Sequence, residues 1–213
     1  MNKKIVIAIS REYGAGGKTI GEMLSEDLGI HYYDKELLKL ASEESGINEA
    51  LFNKADTKFT GSNLLHKIMK SIYKGELLSP EDNDFTSKEN LFNYQAKVIR
   101  NLADAESCII VGRCADFILK DYDNVIRIFL HAPESFRLEQ AALRMSLPPD
   151  KLQKWVEKEN ASRAEYYKYY TGREWTDVRH FDLSLDTSRI GFEKCAELIK
   201  GYMKLKFEGL EFR

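Results

Sequence analysis

Ile5-Val6-Ile7-Ala8-Ile9-Ser10-Arg11-Glu12-Tyr13-Gly14-Ala15-Gly16-Gly17-Lys18-Thr19 is the stretch on which the fold turns. Its first five residues are apolar, mostly β-branched and continuous rather than alternating, the pattern of a strand buried on both faces of a parallel sheet. Ile20, Met23, Leu24 and Leu28 then recur at helical spacing until Gly29 stops the helix. Strand, glycine-rich loop and helix in that order build an anion site, because glycine lets backbone N–H groups converge and the helix N-terminus adds a favourable dipole. Against the phosphate-binding pattern Gly-x-x-x-x-Gly-Lys-Ser/Thr, Gly17-Lys18-Thr19 supplies the second half while Glu12 stands at the first glycine. On this reading Gly14, Ala15, Gly16 and Gly17 cradle phosphate, Lys18 reaches the β- and γ-phosphates, and the Thr19 hydroxyl holds Mg²⁺. The alternative is a glycine-rich connection with Lys18 in solvent.

Working outward, His31-Tyr32-Tyr33 reads as a short strand, and Asp34 is divided between capping the helix that carries Leu37, Leu38 and Ala41 and contacting substrate or metal. Residues 46–86 hold a helical patch around Leu64, Leu65, Ile68 and Ile72, then an acidic stretch from Glu76 to Asp84, and are expected to form an inserted lobe on a mobile connection. A helix from Ser87, a buried strand Cys108–Val111, a helix through Phe117 and Leu119, a strand Val125–Leu130 and a helix opened by Pro133 continue the alternation. Residues 150–170 form a long charged helix, and a last strand around Leu183 and Leu185 precedes a final helix through Phe192, Cys195, Ile199 and Met203. Strands alternating with helices of this length indicate an α/β layer architecture.

The chain has 213 residues, with 32 Lys and Arg against 34 Asp and Glu for a formal net charge of −2, so no overall cationic field exists to hold a nucleic-acid polymer. Its 3 cysteines, Cys108, Cys114 and Cys195, are too scattered for a disulfide framework, which fits a reducing cytoplasm. The apolar run at the start is too short for a signal sequence or a membrane span, and a soluble intracellular protein is expected. His31, His66, His131 and His180 show no metal-like spacing. The oligomeric state is left open.

Arg113 follows directly after a buried strand and so belongs at the carboxyl edge of the sheet, where such folds bind ligands; a grip on phosphate and a salt bridge to a neighbouring acid are both open to it. Arg137, Arg144, Lys151, Lys154 and Lys158 are interleaved with glutamates, and a solvated charged face is the expectation for most of them. The tyrosines from Tyr166 to Tyr170 are expected to pack half-buried with their hydroxyls wet.

The stretch Ile7–Gly17, with Tyr32-Tyr33-Asp34, Val111-Gly112-Arg113-Cys114-Ala115-Asp116 and Arg163-Ala164-Glu165-Tyr166-Tyr167 through Tyr169-Tyr170-Thr171-Gly172, resembles the cytidylate kinase-like family of bacterial P-loop proteins. The resemblance spans nearly the whole chain. It implies a three-layer P-loop NTPase fold with a five-stranded parallel sheet, a helical substrate lobe (about 46–86) and a lid (about 145–175) within one domain of residues 1–213. It also implies ATP-dependent phosphoryl transfer with Mg²⁺ to a small phosphate acceptor, a nucleoside monophosphate, with Lys18, Arg113 and Arg163 catalytic and Asp34, Arg113 and Arg163 on the acceptor. A catalytically weak or inactive nucleotide-binding regulator is the alternative. Two positions depart from the cytidylate kinase pattern: Cys114 replaces an aspartate beside the arginine, and Asn160 replaces an acid three residues before Arg163. Aligned without a gap from Ser10, the lysine of the loop falls on Gly17.

Overall fold

The structure, a computed structural model, describes residues 4–57 and 77–207. Five parallel strands, β1 (Val6–Arg11), β2 (His31–Tyr33), β3 (Cys108–Val111), β4 (Val125–His131) and β5 (Leu183–Asp186), form a sheet in the order β2-β3-β1-β4-β5. The register sets Ile7 opposite Ile109 on one side and Ile126 on the other, so β1 is central. Successive side chains of a strand point to opposite faces, and β1 shows why it lacks polar alternation. Val6 and Ala8 enter one core with Ile110, Phe92 and Leu38, while Ile5, Ile7 and Ile9 enter the other with Ile109, Ile126 and Ile199. Fully burying such a side chain stabilises the fold by ~1.5–3 kcal/mol relative to leaving it exposed.

The helices covering these faces are α1 (Gly17–Leu28), α2 (Glu36–Ser45), α3 (Glu49–Thr57), α4 (Lys88–Ala105), α5 (Ala115–Ile118), α6 (Glu134–Ala142), α7 (Pro149–Thr171) and α8 (Thr187–Lys206). Ser87 caps α4, its side chain accepting from the Asn90 N–H at 3.2 Å. Buried Asn90 ties the preceding turn to α4, donating to the Phe85 carbonyl at 2.7 Å and accepting from the Leu78 N–H at 2.9 Å. The patch around Leu64, Leu65, Ile68 and Ile72 lies outside the described residues. Helix α8 is broken near its start, because Gly191 adopts φ 83° and ψ 167°, and the helix expected through Phe192, Cys195, Ile199 and Met203 follows the break. Among the described residues no helix is long and apolar enough to cross a membrane.

β2 and β3 lie to one side of β1, and β4 and β5 to the other. The chain therefore reverses its winding about the central strand, and a crevice opens at the carboxyl ends of the strands.

Candidate active site

The loop after β1 is held open by its backbone conformation. Gly14 and Gly16 have φ +86° and +81°, and a Cβ on Gly14 would lie 2.4 Å from the Arg137 carbonyl oxygen, so the turn requires glycine there. Gly16 is the residue before α1, and the Ile20 N–H closes the first turn on its carbonyl at 2.9 Å. A glycine-rich loop running into a helix N-terminus is an arrangement that can receive an anion. Lys18 lies at the rim of the cleft, with its ammonium turned toward Glu22 at 3.5 Å and its side chain 59% exposed. Thr19 Oγ1 accepts a hydrogen bond from Arg144 at 2.8 Å.

Beyond the end of β3, Gly112, Arg113 and Cys114 have φ of 81°, 52° and 57°. Left-handed backbone costs a non-glycine residue roughly 1–2 kcal/mol, and this turn carries two such residues in succession. It aims Arg113 back along the sheet edge: the guanidinium, 6% exposed, donates to the Asp34 carbonyl at 2.7 Å and its carboxylate at 3.3 Å. Asp34 is thus an ion-pair partner of Arg113, and the capping alternative is corrected. Lys35 occupies the cap position of α2, which has no side-chain cap. Arg11 approaches the same carboxylate at 4.0 Å.

The long helix α7 reaches the loop from the other side. Asn160 Oδ1 accepts from the Tyr13 N–H at 2.7 Å, and Arg163 donates to the Arg11 carbonyl at 3.2 Å. The Tyr13 ring stands edge-on to Trp155 at 4.7 Å with the Arg163 guanidinium 5.3 Å from its centroid. Burial first, and the neighbouring Arg11 charge second, push the Arg163 pKa below the ordinary arginine range. Arg137 pairs with Glu12 at 3.3 Å and donates to the Ala132 carbonyl at 2.9 Å. Half-buried Arg137 therefore leans on the loop, correcting the solvated face expected for it, whereas Arg144, though it donates to Thr19, and Lys151, Lys154 and Lys158 are exposed as expected.

Beneath the cleft, Asp116 is buried and accepts from Ser10 Oγ at 3.2 Å and Tyr167 Oη at 2.6 Å. Burial raises its pKa more than these donors lower it. The tyrosines pack as expected, with Tyr170 stacked on Phe92 at 4.0 Å, but their hydroxyls are not all wet: Tyr167 bonds Asp116 and Tyr170 bonds the Lys88 carbonyl at 3.1 Å.

Asp34, Arg113 and Arg163 come together with Gly14, Gly16, Gly17 and Lys18 around one cleft of about 580 Å³, which Cys114 also lines. Six cationic side chains line it against three carboxylates, although the whole chain is slightly acidic. Arg11 and Arg144 also line the cleft and were not among the expected site residues; Arg11 had an available signal, its place in the loop pattern when that pattern is started one residue earlier, and Asn160 was marked in sequence only as a departure from the cytidylate kinase pattern. Among the described residues no cluster of three His, Cys, Asp or Glu side chains could hold a metal ion.

Residues 6–189 match the model of the cytidylate kinase-like family. The chain belongs to that family. It is 25% identical over 205 residues to a cytidylate kinase from Methanopyrus kandleri, covering 92% of this chain and 91% of that one. To a cytidylate kinase from Sulfurisphaera tokodaii it is 23% identical over 202 residues, covering 93% and 95%. Among solved structures, an uncharacterized protein from Eubacterium ventriosum superposes with a TM-score of 0.69 at 24% identity, covering 94% of this chain and 99% of that one. A shikimate kinase from Bacteroides thetaiotaomicron superposes with a TM-score of 0.54 at 12% identity, covering 94% and 98%. The fold is that of the P-loop kinases, and the family members are kinase-like.

Proposed function

We propose that this cytidylate kinase-like protein transfers a phosphoryl group from ATP to a small phosphorylated acceptor, first among them a nucleoside monophosphate. One observation carries the reading: the glycine loop and the Asp34–Arg113–Arg163 cluster face each other across a single cleft at the carboxyl edge of the sheet. An anion cradle beside a second cationic pocket suits a donor phosphate chain and an acceptor phosphate brought end to end. Catalysis of this kind rests on positioning and charge neutralisation, so the protein needs no nucleophile.

The residues fit the donor's phosphates. Gly14 and Gly16 take left-handed conformations open to glycine, and α1 begins behind them. Bound Mg²⁺ would supply neutralisation of the charge that develops on the transferred phosphoryl group. Thr19 is the side chain of this chain suited to touch it, once Arg144 releases the hydroxyl. Arg113 is held rigidly by two acceptors on Asp34 and presents the acceptor phosphate with a preset fork. Asn160 and Arg163 on α7 hold the loop backbone, and closure of the lid-like segment 145–175 over the acceptor excludes water, which prevents transfer to solvent.

A second reading is a nucleotide-binding regulator without transfer activity, favoured by the outward turn of Lys18 toward Glu22. ADP release from MgATP, measured with a panel of nucleoside monophosphates and other small phosphorylated and hydroxylated metabolites, separates the two. Acceptor-dependent ADP release is expected. Tight nucleotide binding without release under any acceptor would establish the regulator instead.

A further inference from the structure

The loop can be read in a second frame, beginning at Arg11 instead of Glu12. It is then Arg11-x-x-x-x-Gly16-Gly17-Lys18 against the pattern Gly-x-x-x-x-Gly-Lys-Ser/Thr, with Lys18 at the hydroxyl position and Thr19 one residue beyond it. The two ends are exchanged: the first-position glycine has become arginine, and the lysine has become glycine. The structure favours this frame. Helix α1 begins at Gly17 behind Gly16, which places Gly17 where the lysine belongs, and Lys18, one residue on, is the residue turned out toward Glu22.

The space a side chain at position 17 would enter is occupied. A Cβ built on Gly17 would lie 2.6 Å from Cγ and 3.0 Å from Cβ of Arg11, contacts with the stem of the side chain that a rotation of its tip cannot relieve. The arginine then runs on over Gly112, where a Cβ would lie 2.4 Å from its Nη1. Its Nη2 stands 4.0 Å from the Asp34 carboxylate, and its side chain is 20% exposed. Glycines on two different loops thus make room for one arginine, which crosses from the phosphate cradle to the Asp34–Arg113 pair.

We infer that Arg11 takes the place of the lysine absent from position 17, its guanidinium neutralising the phosphates bound by the loop backbone. This rests on the reading of the cleft as a nucleotide site. Arginine remains charged in a crowded cationic cleft and offers a planar fork of donors, whereas lysine offers a single point charge. One guanidinium at this position can contact both the donor's terminal phosphates and the acceptor side.

The exchange is testable by reversing it. Isothermal titration with MgATP is run on wild type, Arg11→Gly, Gly17→Lys and the double variant. Arg11→Gly should weaken binding about 10- to 100-fold, the usual effect of removing a charge-assisted hydrogen bond. Gly17→Lys should also weaken it, because the new side chain meets the Arg11 stem. The double variant, with the stem gone and lysine in its ordinary place, should bind at least about 10-fold more tightly than either single variant, a non-additivity expected of groups sharing one space. Should Arg11→Gly fail to fold, Arg11→Gln removes the charge and keeps most of the stem, and must show the same loss. Wild-type binding in Arg11→Gln or Arg11→Gly, a larger loss in Lys18→Ala than in either, or a double variant no better than its singles would each overturn the inference while leaving the nucleotide site standing. Absence of MgATP binding by wild type would overturn both.

Discussion

Replacing Asn160 by alanine removes the side chain that fastens the long helix α7 to the phosphate loop. Its Oδ1 accepts the Tyr13 N–H at 2.7 Å, and the residues around Tyr13 are Trp155, Arg163 and Met145, whose sulfur is 3.6 Å from the Tyr13 hydroxyl. The variant strands a half-buried N–H donor, at a cost of ~1–3 kcal/mol, with the lower part of that range applying where water can reach it. For a chain of this size each kcal/mol lowers Tm by roughly 2–4 °C, so a fall of about 2–8 °C is expected. Asn160→Asp keeps an acceptor and sets a carboxylate one helical turn from Arg163, so it should melt close to wild type. Thermal melts with urea titrations at unchanged m give the comparison, and hydrogen exchange should report faster opening at the Tyr13 amide. If Asn160→Ala melted within about 1 °C of wild type and the Tyr13 amide exchanged no faster, the fastening role would be refuted.

Asp116 supplies a pH test. Burial raises its folded-state pKa above the unfolded value, so the stability associated with its protonated form is present below about pH 4 and is lost as pH rises through the folded value. Asp116→Asn cannot ionise, so its Tm relative to wild type should climb between pH 4 and pH 7; a constant difference would contradict this. Cys114, buried, left-handed and lining the cleft, presents a thiol where a carboxylate would accept from a base amino group. Cys114→Asp, with a side chain that tolerates this backbone, should raise the preference for amino-bearing acceptors by about 10-fold or more, and unchanged acceptor ratios would remove the position from base recognition.

The fold was legible because β1 is buried on both faces. A five-residue, mostly β-branched run such as Ile5–Ile9, ended by a glycine-rich loop, fits a doubly buried strand better than a helix, and the strands Cys108–Val111 and Val125–Leu130 repeat its signature. Arg113 was legible for the same reason, since a charged residue directly after a buried strand must emerge at the sheet edge. Asp34 was not, because aspartate after a strand serves a helix cap and an ion pair equally well, and the choice depends on an arginine 79 residues away. The contacts of Asn160 and Arg144 were hidden further: their partners Tyr13 and Thr19 are 147 and 125 residues distant, and their own surroundings in sequence read as a charged helix surface. Arg11 lay within the loop pattern itself, but choosing between two frames one residue apart required knowing which residue faces the cradle.

The central claim is that the Gly14–Thr19 loop binds a nucleotide's phosphates opposite the Asp34–Arg113–Arg163 cluster. A crystal structure with Mg²⁺, a non-hydrolysable ATP analogue and a nucleoside monophosphate tests it most directly. The account predicts the β- and γ-phosphates on the loop's N–H groups with Arg11 against them, and the acceptor phosphate on Arg113. A triphosphate bound away from the loop, or an acceptor phosphate out of reach of Arg113, would contradict it.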